Sequence, residues 1–435
     1  MMLKNQNIFL KKKILIYGLG KSGISTYQCL KKQSKLYLFD DKKLFIKNIG
    51  IKKKIIKYND IKEKQFDHII ISPGINVNKC LLKKYLQKNL NKIKTDLDIF
   101  YCLYGKNKSI TITGTNGKST TAKILYEVLK DKKLDVRLVG NIGNPILLEK
   151  NITKNTIFVI EASSYQLEYS KLFKTNYAAI LNISSDHLER HLTLNKYINA
   201  KFKLIKNQTN KDFAFLNMKN LYIKKKVRKI KILSKIIKIN KNVNLKFLKK
   251  INNPYFMTDG NKENLSFIIE IAKKLNIKKN DLFKTLKSFT GLKYRQQIIF
   301  KSKNLTIIND SKATSYSSSV SILRSLSNVY WIVGGLAKKG DKFLLSKNQC
   351  KTFKAYIFGK NKNIFIKHLK NIMDFEHFTN LTLLLKKILL DIKKQKNKKN
   401  QTIVFSPAAA SFDSFKNFEH RGKYFNNLIK KLINV

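Results

Sequence analysis

Arginine is nearly missing from a very basic chain. Of 89 basic residues in 435, only positions 137, 190, 228, 295, 324 and 421 are arginine, and 27 acidic residues leave a net charge of +62. Nucleic-acid readers lean on arginine for bidentate base and phosphate contacts. Here lysine is spread along the whole length in company with Ile, Asn and Phe, so the charge reads as a lysine-filled surface rather than a nucleic-acid partner. A field of this sign still attracts anionic substrates. Cysteine is scarce too: Cys29, Cys80, Cys102 and Cys350 form no C-x-x-C pair. That argues against a disulfide framework or zinc knuckle and fits a reducing compartment. No apolar run approaches the roughly 18 residues of a membrane span. No signal-peptide pattern opens the chain, and a cytoplasmic location is expected.

What is present is α/β alternation. Lys13–Gly18, Leu36–Asp40 and His68–Ser72 read as buried strands separated by helical stretches, which implies a doubly wound parallel sheet. A second run begins at Ser109–Thr113, continues in a helix from about Lys118 to Lys130, and adds strands at Thr156–Glu161 and Tyr177–Asn182. Residues 219–250 are lysine-rich and low in complexity, and a peripheral insertion or irregular strands are expected there. Asn261–Leu275 has an amphipathic helical pattern. A third run carries strands at Leu305–Asp310, Val329–Val333, Ala355–Phe358 and Thr402–Phe405, with a charged loop at Gln395–Asn400. The expected architecture is three α/β domains in series, 1–102, 103–291 and 292–435. The first and last are Rossmann-like and the central one is of the P-loop ATPase type.

The sharpest motif is Gly114-Thr115-Asn116-Gly117-Lys118-Ser119-Thr120 between a strand and a helix. Glycines let backbone N–H groups turn toward an anion, and the helix N-terminus adds its positive end. Lys118 suits β- and γ-phosphates, and the Ser119 hydroxyl suits Mg²⁺. Ile112 stands where a full GxxxxGK[ST] loop has its first glycine. Glu161, at a strand end in EASSYQLE, suits either a metal at the neighbouring loop or a first-turn helix acid. His187 and His191 in SSDHLERH are four apart, a spacing open to zinc ligation, although a Mg²⁺ or substrate contact fits a nucleotide site better. Gly18-Leu-Gly-Lys-Ser-Gly23 is a GxGxxG turn, on its own equally consistent with a nicotinamide-binding domain.

Taken in order and spacing, GTNGKST, EASSYQLE and SSDHLERH resemble the Mur ligases of peptidoglycan synthesis. Asn309–Thr314 (NDSKAT) and Ser406–Gly422 (SPAAASFDSFKNFEHRG) resemble the branch that adds D-glutamate. The resemblance covers nearly the whole chain. It implies an ATP-dependent acid–amino-acid ligase that forms an acyl phosphate on UDP-N-acetylmuramoyl-L-alanine and couples it to D-glutamate. Two Mg²⁺ ions are expected, one on Ser119 and Glu161, a second served by His187 and by Lys201 as a carbamate. By the same resemblance Asn264, Arg295 and Asp310 contact ATP with the phosphate loop. Lys21, Ser22, Asp40, Asp41, Gly74 and Asn141 contact the UDP substrate, and Lys312, Thr314, Lys338, Ser411 and Phe418 contact D-glutamate. Another Mur ligase or a folylpolyglutamate synthetase-like enzyme is the alternative, and no DNxR-type diaminopimelate motif is present. A monomer is expected.

Overall fold

The computed structural model describes residues 8–42, 49–240, 243, 245–338, 340–395 and 400–433. Three sheets follow one another along the chain. The first holds β1 (Lys13–Tyr17), β2 (Lys35–Phe39), β3 (His68–Ile71) and β4 (Ile93–Lys94), all parallel, in the order β2-β1-β3-β4. The second holds β5 (Ser109–Thr113), β6 (Val136–Gly140), β7 (Ile157–Glu161), β8 (Tyr177–Ile180), β9 (Phe213–Asn217) and β10 (Lys235–Ile239). These are also parallel, in the order β10-β9-β8-β5-β7-β6. The third holds β11 (Gln297–Lys301), β12 (Leu305–Asn309), β13 (Val329–Gly334), β14 (Phe353–Phe358), β15 (Asp374–His377) and β16 (Gln401–Phe405), ordered β11-β12-β16-β13-β14-β15. Only the β11–β12 pair is antiparallel among these.

The central strands explain the pattern. β5, β13 and β16 are buried at every position, as parallel strands covered on both faces must be; β13 reads as a near-continuous apolar run, whereas β5 alternates isoleucine with serine and threonine. In the second sheet the strand order reverses between β5 and β8. In such sheets ligands bind beyond the carboxyl ends of the strands at that switch point, and GTNGKST, Glu161 and Asn182–His187 follow the ends of β5, β7 and β8. The third sheet places Asp310–Thr314, Gly335–Lys338 and Ser406–Ser411 after the neighbouring strands β12, β13 and β16.

The described residues form two compact units. One comprises those within Met1–Ile183, His187–Lys241 and Phe267–Leu282, the other those within Ser184–Asp186, Asn242–Ser266 and Phe283–Val435. In the first unit the helix Asp96–Tyr104 is nucleated by a capping box between Thr95 and Asp98. It packs Phe100 edge-on against Phe158 of β7 at 4.8 Å, so one core serves the first two sheets.

The lysine-rich stretch is more regular than its composition suggests. Leu221–Val227 and Leu245–Ile251 are helices, and Lys235–Ile239 is the edge strand β10, in register with β9. Lysine stems pack along apolar surface while their heads stay in water; Lys235 lies over the Phe213 ring at 5.7 Å. Of the charged loop at Gln395–Asn400, residues 396–399 lie outside the described residues. No described helix is long and apolar enough to cross a membrane.

Candidate active site

β5 carries the chain into the Gly-rich turn, and the helix Lys118–Asp131 starts directly after Gly117. Gly117 takes φ +82, a left-handed conformation that a side chain resists. Asn182, after β8, pins the turn: its carbonyl accepts from Thr115 N at 2.9 Å and its Oδ1 from Asn116 N at 2.8 Å. Lys118 Nζ donates to the carbonyls of Gly114 (2.9 Å) and Thr115 (2.7 Å). Lys201, fully buried, donates to the same Gly114 oxygen at 2.7 Å. Two ammonium groups thus converge on one carbonyl, a concentration of positive charge suited to a phosphate chain.

Ser119 Oγ donates to Glu161 Oε2 at 2.6 Å, and Asn141 Nδ2 donates to Glu161 Oε1 at 2.8 Å. Ser119, Thr120 and Glu161 are all buried. A hydroxyl facing a carboxylate is a hard-oxygen donor pair of the kind Mg²⁺ takes. No group of three His, Cys, Asp or Glu side chains able to hold a metal occurs among the described residues.

His187 and His191 do not share a helix face. His187 sits before the short helix Leu188–His191 with φ +56, and its Nδ1 lies 2.9 Å from Tyr165 Oη. His191 turns inward, its Nε2 3.0 Å from Ser164 Oγ. Burial, and then Arg190, push its pKa down to about 4, so it is neutral at pH 7. The two histidines therefore make separate contacts, His187 with Tyr165 and His191 with Ser164. Arg190 Nε pairs with Glu168 at 3.0 Å and its guanidinium lies over the Tyr165 ring at 4.9 Å. Tyr197 joins the parts: its hydroxyl is 3.1 Å from Thr115 Oγ1, its ring lies 4.6 Å from Lys201 Nζ and 6.3 Å from the His187 ring. The expected set Lys118, Ser119, Glu161, His187 and Lys201 is brought into one neighbourhood, and Asn182, Tyr165 and Tyr197 organise it.

In the first sheet the GxGxxG turn closes tightly. A Cβ on Gly23 would fall 1.8 Å from the Gly18 carbonyl oxygen, whereas a Cβ on Gly20 would meet nothing within 4 Å. Lys21 and Ser22 open the helix Lys21–Leu30. Asp40 Oδ2 accepts from Leu19 N at 2.7 Å, Asp41 accepts from Tyr17 Oη, and Gly74 is exposed in the loop after β3. The buried Asp96 accepts from Leu97 N at 3.0 Å, and burial raises its pKa to about 6 against the opposing pull of that amide and of the Gln166 and Ser22 side chains.

In the second unit Asp310 Oδ1 accepts from Gln296 N at 3.1 Å and Oδ2 from Ser406 Oγ at 2.9 Å. Asn264 reaches this group through Asn261 Oδ1 (3.4 Å), which in turn meets Gln296 at 3.2 Å through its amide. Lys312 Nζ lies 4.1 Å and the Arg295 guanidinium 5.9 Å from the Phe418 ring centre. Arg421 is fully buried and donates to Ser311 O at 2.7 Å and Ala409 O at 3.0 Å, tying the loop after β12 to the loop after β16. Thr314 and Ser411 sit on these two loops. Lys338, after β13, is paired with Asp186 at 2.6 Å.

A Gly-rich phosphate loop at the switch point of a parallel sheet, followed by a second α/β unit, is the frame of a nucleotide-binding α/β enzyme. The comparisons make the class specific. The Mur ligase middle domain family matches residues 112–278. UDP-N-acetylmuramoylalanine–D-glutamate ligase of Rickettsia prowazekii is 34% identical, covering 98% of this chain and 99% of that protein. The protein of the same name from Hydrogenobaculum is 32% identical over 97% and 99%. Among solved structures, UDP-N-acetylmuramate–alanine ligase of Thermotoga maritima superposes with a TM-score of 0.56 at 16% identity, over 97% of this chain and 99% of that one. MurF of the same organism, solved with ADP, gives 0.54 at 14% identity, over 99% and 97%. The chain belongs to the Mur ligase family.

Proposed function

We propose that this enzyme joins D-glutamate to UDP-N-acetylmuramoyl-L-alanine with ATP, in cytoplasmic peptidoglycan precursor synthesis. The segments 1–102, 103–291 and 292–435 serve the UDP substrate, the nucleotide and the amino acid. A carboxylate oxygen of the alanyl group attacks the γ-phosphorus and ADP leaves. The D-glutamate amine then attacks the acyl-phosphate carbon, loses a proton, and inorganic phosphate departs as the amide forms.

Two anions must approach each other in the first step, so the chemistry is charge management. Lys118 and the amides of Gly114–Thr120 neutralise the β- and γ-phosphates. Ser119 and Glu161 would hold a Mg²⁺, and His187 with a carbamylated Lys201 a second. Bound there, Mg²⁺ supplies Lewis-acid charge neutralisation. Carbamylation would also turn the Lys118–Lys201 like-charge approach into an opposite-charge one. Asn141 steadies Glu161 and faces the muramoyl side. Lys21, Ser22, Asp40, Asp41 and Gly74 receive the UDP group; Asn264, Arg295 and Asp310 contact adenosine; Lys312, Thr314, Lys338, Ser411 and Phe418 form the D-glutamate pocket.

The observation that carries this reading is the buried Ser119–Glu161 pair beside Lys118. The test is phosphate release from ATP, expected only when UDP-N-acetylmuramoyl-L-alanine and D-glutamate are both present. Equal turnover with diaminopimelate or lysine in place of D-glutamate would overturn it.

A further inference from the structure

The longest interval of the chain without Asp or Glu runs from Phe213 to Thr258, and its first part has a defined outward face. The helix Leu221–Val227 buries Ile223 and leans Val227 on the core that the first two sheets share. At 3.6 residues per turn, Leu221, Tyr222, Lys224 and Lys225 then point away from that core, and all four are exposed. From 229 to 235 the chain alternates. Ile230 and Ile232 pack inward and Ser234 is buried, while Lys229, Lys231, Leu233 and Lys235 face out. Arg228, also exposed, joins the two stretches. Residues 221–235 thus turn six cations to solvent together with Leu221 (68% exposed), Leu233 (57%) and Tyr222 (41%). The surrounding elements add no negative charge. The helix Leu194–Lys206 and β9, which pack against Leu221–Val227, contain no acid, and neither does β10. Asp212, just before β9, is buried and already paired with Lys174 at 3.0 Å.

Net charge by itself names no partner, but cations interleaved with exposed apolar groups carry a second signal. A nucleic-acid backbone would use the cations and leave both leucines in water. The surface of an anionic bilayer uses everything present: headgroup phosphates meet the cations, leucines enter the acyl boundary, and a tyrosine ring sits at headgroup level. We propose that residues 221–235 dock the protein peripherally on a bilayer of anionic lipid. The attraction sums over the cations and weakens with salt, whereas the leucine contribution follows buried apolar area.

The test is co-sedimentation of the full chain with vesicles, either of phosphatidylcholine alone or of equal parts phosphatidylcholine and phosphatidylglycerol. Binding is expected to the mixed vesicles only. Lys224→Gln, Lys225→Gln and Arg228→Gln together should weaken it about 100-fold. Because the whole chain is basic, the control is Lys351→Gln, Lys367→Gln and Lys370→Gln, three exposed lysines of the second unit. The control lowers the net charge equally and should change binding by less than about threefold, since charges beyond a Debye length are screened. Leu221→Ser with Leu233→Ser should weaken vesicle binding about tenfold or more. All substituted residues are exposed, and melting temperatures equal to wild type check that the fold is kept. Equal losses in the two triple variants, or vesicle binding unchanged in the leucine variant, would overturn the proposal. Tighter binding to single-stranded polyuridylate than to mixed vesicles, indifferent to the leucines, would overturn it too and assign the surface to nucleic acid.

Discussion

Ser119 Oγ and Glu161 Oε2 lie 2.6 Å apart, both buried, at the carboxyl edge of one parallel sheet whose strands β5 and β7 are neighbours. The contact joins the first turn of the helix after β5 to the last residue of β7. A divalent ion needs these two oxygens turned toward each other.

Glu161→Gln keeps the shape and can still bond Ser119 and Asn141, yet it removes the negative charge. The expected result is a normal melting temperature, a Mg²⁺ requirement raised about tenfold or more, and turnover lowered about 100- to 1000-fold, the scale for losing one preorganised electrostatic group. Lys118→Ala should lose a similar factor. A Mg²⁺ titration of steady-state rates checks both; an unchanged Mg²⁺ dependence in Glu161→Gln would contradict the assignment.

Tyr165 Oη sits 2.9 Å from His187 Nδ1. A hydrogen bond on one ring nitrogen fixes which way the other faces. Tyr165→Phe should retain the fold, because the ring still packs under Arg190, and should lower kcat about tenfold with little change in the KM for ATP. The ¹⁵N shifts of His187 in labelled protein report the change directly; identical shifts in the variant would show that Tyr165 does not orient it.

Asp310 titrates in a direction that can be read from stability. Burial pushes it up to about 7, against the opposing bonds from Ser406 and Gln296, and an ordinary aspartate sits near about 3.9. Between those values the folded chain holds a proton that the unfolded chain has lost, so this residue's contribution falls as pH rises from about 4 to about 7. Asp310→Asn lacks that slope. Urea unfolding of both proteins at pH 5 and pH 7.5 should show the variant gaining relative to wild type at the higher pH; a constant difference would contradict it.

The two glycines of the first turn should separate fold from binding. Gly23→Ala forces a methyl against the Gly18 carbonyl, and it should destabilise the protein by about 1–3 kcal/mol. Gly20→Ala meets nothing. Its stability should stay within about 0.5 kcal/mol, while the KM for the UDP substrate rises as the methyl enters the space above the helix start. Thermal denaturation and steady-state kinetics on the two variants distinguish these effects.

How legible this was depended on local chemistry. The strand–turn–helix of GTNGKST is written in glycines, a lysine and hydroxyls at fixed spacing, and its boundaries fall where the residues put them. β10 (Lys-Ile-Ile-Lys-Ile) was legible only as an irregular strand, because lysines crowd the residues around it and blur where it starts and ends. The edge strands β11 and β15 are likewise short, and only half-covered by their neighbours. Tyr197 and Tyr165 looked like ordinary aromatic positions. Their hydroxyls acquire meaning only when the fold brings them to Thr115 and His187, 82 and 22 residues away in sequence. By pattern alone Lys201 is one lysine in a lysine-rich chain; only the family resemblance singled it out, and its burial agrees with that. Spacing suggested a common face for His187 and His191, and the left-handed backbone at His187 breaks it.

The proposed reaction turns on the alanyl carboxylate taking up the γ-phosphate. Its most direct test follows the oxygen. With UDP-N-acetylmuramoyl-L-alanine labelled with ¹⁸O in the terminal carboxylate, one labelled oxygen should appear in the inorganic phosphate released per amide formed. Phosphate carrying no ¹⁸O, with amide still produced, would contradict it.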